Sequence, residues 1–78
     1  MSDEKLNIAL TRDEAIVLFE FLVRFNEGDD WGRFEDQAEQ RVLWDLESML
    51  ERKLDEPLGA DFKEVVKKAR EAVRDGKE

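Results

Sequence analysis

A chain of 78 residues holds one domain, because so short a sequence cannot divide its apolar residues between two self-sufficient cores. Apolar residues at 41% and charged residues at 44% suit a compact core under a well-hydrated surface, and 21 acidic against 13 basic residues leave a formal charge of −8, the wrong sign for counterion-release binding to phosphate backbones. The absence of cysteine, histidine and tyrosine excludes disulfides, thiol, imidazole and phenol chemistry and the usual zinc sites.

The chain begins Met1-Ser2-Asp3-Glu4-Lys5, acidic rather than basic, and no apolar stretch of signal-peptide length follows. The longest apolar run, Ala15 to Phe19, is five residues, whereas a membrane-spanning helix needs roughly twenty. The expectation is a cytoplasmic protein with no membrane association, one domain over residues 1–78, frayed at 1–5 and 75–78. Leu6, Ile8 and Leu10 alternate with Asn7 and Ala9, a period of two that predicts a short N-terminal β-strand with one apolar face.

Thr11-Arg12-Asp13-Glu14 has capping-box spacing and opens a first helix running through Phe25. It should end near Asn26-Glu27-Gly28, with Gly28 supplying a left-handed cap. Residues 27–33 read as a loop. A second helix is predicted from Phe34 to Leu54, its inward face drawn from Ala38, Val42, Leu46, Met49, Leu50 and Leu54. Asp55-Glu56-Pro57-Leu58-Gly59 should terminate it. Asp61 is the expected cap of a third helix reaching Arg74, with Phe62, Val65, Val66, Ala69, Ala72 and Val73 inward. The fold class is mainly α: three helices with a short N-terminal strand that can pair across a dimer.

Two features point outside the single chain. On a helical wheel Asp13, Glu20, Arg24 and Glu27 form one narrow stripe, so the first helix is apolar around most of its circumference, Phe19 included. Two other helices cover about two thirds of such a perimeter, and a second copy of the chain is the favoured cover for the rest. The lone strand also needs a partner for its amide and carbonyl groups. An antiparallel ribbon formed with its twofold mate meets that need. The other reading drapes Leu6, Ile8 and Leu10 over the bundle as an extended segment.

Trp44 falls on the polar side of its helix, beside Gln37, Gln40, Arg41 and Ser48. Burial under another helix or a dimer mate is the simpler reading, and an exposed contact residue the sharper one. Trp31 has the same two readings and can plug the bundle end. The candidate interaction residues are therefore Leu6, Ile8, Leu10, Phe19, Trp31, Gln37, Gln40, Arg41 and Trp44.

Glu27, Asp29 and Asp30 cluster near Gly28 and Gly32, but their spacing matches no calcium loop and an ordinary solvated turn is expected. Glu35, Asp36 and Glu39 suit the dipole of a helix start. No catalytic set, cofactor or metal site is expected. A strand followed by two helices has the topology of ribbon–helix–helix DNA-binding proteins, yet residues 11–30 carry a charge of −4, which disfavours nucleic acid at that face. The leading functional reading is a small acidic, non-enzymatic, homodimeric protein-interaction module. The alternative is an acidic inhibitor, immunity or antitoxin-like protein for a basic protein partner.

Leu10-Thr11-Arg12-Asp13-Glu14-Ala15, continuing into Leu18-Phe19-Glu20-Phe21-Leu22, resembles short bacterial proteins of uncharacterised function. Ala38-Glu39-Gln40, Leu43-Trp44-Asp45-Leu46-Glu47 and Leu50-Glu51 extend the resemblance over most of the chain. It implies a natural bacterial protein and brings no functional residue with it.

Overall fold

A computed structural model describes residues 4–28, 31–54 and 61–76. Three helices follow one another: α1 (Arg12–Glu27), α2 (Gln37–Lys53) and α3 (Phe62–Asp75), with one 3-10 turn at Trp31–Arg33 before α2. The architecture is mainly α, and no strand occurs among the described residues. Residues 4–10 have no regular secondary structure, so the expected strand is not formed within one chain. Asp29, Asp30 and the Asp55–Gly59 helix stop lie outside the described residues.

The start of α1 is fixed by local chemistry. The Glu14 N–H donates to Thr11 Oγ1 at 3.0 Å and the Thr11 N–H donates to Glu14 Oε1 at 2.9 Å, the reciprocal pair of a capping box. Gly28 ends the helix in an extended conformation (φ −80°, ψ 172°), so the expected left-handed cap does not occur there. It occurs at Gly76, where φ is +70° and the N–H reaches the carbonyls of Ala72 and Val73. Gly76 thus closes the end of α3.

Helix α2 begins three residues later than expected, because Asp36 takes the cap position and donors on both sides of it are used. Its Oδ1 accepts from the Ala38 N–H at 2.7 Å, and Glu39 Oε1 reaches back to the Glu35 N–H at 2.9 Å. Phe34 is left outside the helix. Asp61 caps α3 in position only, since its side chain makes no cap hydrogen bond.

Both outer helices pack on α1, and their backbones do not come close to each other. On one side Ala15, Phe19 and Leu22 meet Leu50 of α2, with Leu18, Val23, Leu43 and Leu46 around them. On another side Ile16 meets Val66 and Ala69 of α3, with Val17 and Val65 alongside. Leu54 and Phe62 pack against both clusters. A helix that serves two neighbours on different sides must be apolar over most of its perimeter, which is why α1 is. Helix α3 buries or half-buries the six residues expected of it, whereas α2 does so only with Leu46, Leu50 and Leu54 of its expected set. Val42 and Met49 are 62% and 49% exposed, and Ala38 is exposed too. Touching one neighbour, α2 uses a narrower arc than its sequence offers, and Leu43 completes that arc instead.

Polar contacts tie the same seams. Asn26 Nδ2 donates to Glu47 Oε1 at 2.7 Å across α1 and α2 in a part-buried setting. Glu20 accepts from Arg70 of α3 at 2.8 Å and from Arg24 of its own helix at 2.9 Å.

Candidate interaction surface

The polar stripe of α1 does not face solvent as a whole. Glu20, half-buried, lies at the α3 seam between Arg70 and Arg24. The exposed residues of α1 are Arg12, Phe21, Arg24 and Glu27, so Phe21 is the one apolar side chain that this helix presents among charged ones. Phe21 is 46% exposed there. Its ring stacks on Phe25 at 5.7 Å between centroids, and Phe25 meets Phe34 edge-on at 5.8 Å. The Arg24 guanidinium sits 5.6 Å from the Phe21 ring centroid.

Beside Phe21 runs an open groove between α1 and α3, with Val17, Leu18 and Phe21 on one wall and Val73 on the other. Glu14, Arg24 and Arg70 line it as well. Its charged lining is thus one carboxylate and two guanidiniums, on a chain whose net charge is −8. The continuation of the seam past Glu20 and Arg70 is lined by Phe62, Lys63 and Val66.

Preceding this groove in the chain, Leu6 and Ile8 are each 85% exposed and Leu10 is exposed. The draped reading of this segment fails at once, since two of its three apolar side chains touch almost nothing in the single chain. Thr11 at the α1 cap is extended (φ −68°, ψ 163°), so the segment departs from the helix rather than continuing it.

Among the remaining residues singled out from sequence, Gln37, Gln40, Arg41 and Trp44 share one side of α2, where Gln37 and Arg41 are exposed and Gln40 is half-buried. Trp44 is 44% exposed, so it is only partly covered within the single chain. Phe34, Glu35, Asp36, Gln37 and Gln40 outline a shallow depression at the start of that side. Phe19 is a correction: at 4% exposure it belongs to the core, edge-on to Phe62 at 6.5 Å, and cannot serve as a contact residue. Trp31 opens the 3-10 turn, and its side chain lies outside the described part of the structure.

Phe21 and the groove beside it went unnamed at the sequence level. The available signal was the wheel itself, on which Val17, Phe21 and Leu18 lie on the side away from Ile16 and Phe19. No cluster of three metal-ligating side chains occurs among the described residues. None of the helices is long and apolar enough to cross a membrane, among the described residues. Comparison with protein-family models, curated proteins and solved structures yields no match to this chain.

Proposed function

We propose that this protein is a small, non-enzymatic protein-interaction module that works as a homodimer in the cytoplasm. The observation that carries the reading is the 85% exposure of Leu6 and Ile8, alternating apolar residues in a segment without regular secondary structure. Isolated surface leucines are ordinary, but an alternating apolar row on an exposed segment is a template for another strand. Residues 5–10 of two copies then pair as an antiparallel ribbon about a twofold axis, with Leu6, Ile8 and Leu10 of both chains on one face.

The acidic-inhibitor alternative draws less support. Helix α3 carries five basic residues against three acidic ones, so the negative charge is not spread over every face. A basic partner would also meet Arg24 and Arg70 at the groove.

Sedimentation equilibrium tests the proposal. The expected result is a monomer–dimer equilibrium in the native chain and a monomer in Ile8→Asp, with the same far-ultraviolet circular dichroism in both. A native chain that stays monomeric at high micromolar concentration overturns it.

A further inference from the structure

The proposed ribbon carries six apolar side chains on one face, and that face needs a floor. We infer that the groove between α1 and α3 is that floor in trans: Leu6, Ile8 and Leu10 of one copy seat against Val17, Phe21 and Val73 of the other. The inference rests on the dimer reading above and adds where the segment goes.

Three observations select a second copy as the occupant. The first is direction. In its own chain the segment leaves α1 through an extended Thr11 whose backbone is held by the capping box, and Leu6 and Ile8 stay exposed, so the segment does not fold back on the groove beside it. The groove of another copy has no such restriction.

The second is charge. Two chains of −8 repel each other, and approach is least costly where the local charge is not negative. The groove lining has one carboxylate and two guanidiniums, and residues 4–10 hold one acid, Glu4, and one base, Lys5. Each surface is therefore free of the excess acidity found elsewhere in the chain.

The third is size. From Leu6 to Leu10 an extended chain spans about 13 Å at roughly 3.3 Å per residue. From Glu14 to Phe21 the helix rises about 10 Å. The segment and the groove wall are thus of matching length.

The chain has no cysteine, so single cysteines report contacts without interference. Ile8→Cys and Phe21→Cys both alter exposed residues and leave the core intact. The two variants, distinguished by an affinity tag on one, are mixed, allowed to exchange and oxidised. The expected product is a disulfide-linked heterodimer carrying one copy of each variant, at a yield several-fold above that from a mixture of Ile8→Cys with Arg52→Cys, an exposed site on α2. As a second reading, Phe21→Ser is expected to weaken the native dimer at least tenfold in sedimentation equilibrium. A native dimer that gives no excess of the linked heterodimer and is unaffected by Phe21→Ser overturns the groove assignment while the dimer stands. A single-chain Ile8→Cys/Phe21→Cys variant that closes an internal disulfide in preference to linking two chains also overturns it. A monomeric native chain removes the dimer reading itself, and the groove assignment with it.

Discussion

Arg70 of α3 donates to Glu20 of α1 at 2.8 Å across fifty positions of sequence, and the same carboxylate accepts from Arg24 one turn further along its own helix. Glu20 is the junction of this group. Its side chain is 19% exposed, while those of Arg70 and Arg24 are about half exposed. Solvent screening keeps such pairs weak even when their geometry is good.

Arg70→Ala is therefore expected to lower stability by no more than about 1 kcal/mol, and Glu20→Gln by a similar amount. Their combination should cost less than the sum, because both remove one interaction. Urea unfolding of the two single variants and the double variant checks this.

Phe19→Ala is expected to cost about 3–5 kcal/mol, as a large aromatic removed from a packed core leaves a cavity that neighbours fill poorly. That is comparable to the whole stability of a domain this size, roughly 4–12 kcal/mol. Trp44→Ala, on the outer side of α2, should change stability by less than about 1 kcal/mol. Thermal unfolding followed by circular dichroism separates the two, with Phe19→Ala melting far below the native chain and Trp44→Ala close to it.

Thr11→Ala removes half of the capping box and is expected to cost about 1 kcal/mol. For a domain of this length that is a fall of about 4–8 °C in Tm. Thr11→Ser, which keeps the hydroxyl acceptor, should recover most of the loss.

The glycines give opposite expectations. Gly76→Ala meets no steric neighbour, yet places a side chain at φ +70°, at a cost of about 1–2 kcal/mol. Gly28→Ala sits at φ −80° with its new Cβ in ordinary contact, 3.4 Å from the Phe25 carbonyl oxygen. It should be neutral or stabilise by up to about 1 kcal/mol through the unfolded chain. Melting temperatures of the two variants that move together would contradict this assignment.

Much of this fold was legible in the sequence where the determinant was local. The Thr11 and Glu14 spacing marked the start of α1, and the apolar arc of α3 named its buried face, because each depends on residues within a turn or two. The ends of α1 and α2 were less legible. Glycine at a helix end can close it in two backbone conformations, and Asp36 outcompeted Phe34 as the start of α2 because only Asp36 can accept a hydrogen bond from the Ala38 amide. Val42 and Met49 were misread for a different reason. Apolar spacing shows which residues can be buried, but how wide an arc is used depends on the number of neighbours, and α2 has one. The same limit applied to Phe19 and Phe21, which flank Glu20 on different sides of α1: one is core and the other surface, and the placement of α2 and α3 decides which side is covered.

Because α2 and α3 take most of their packing from α1 and share only the seam at Leu54 and Phe62, either flank can detach while its opposite number stays docked. Hydrogen exchange should therefore sort the amides into two separate classes of partial opening, with those of α1 outlasting both. The middle rod is the common scaffold, and its protection reports the survival of the whole molecule.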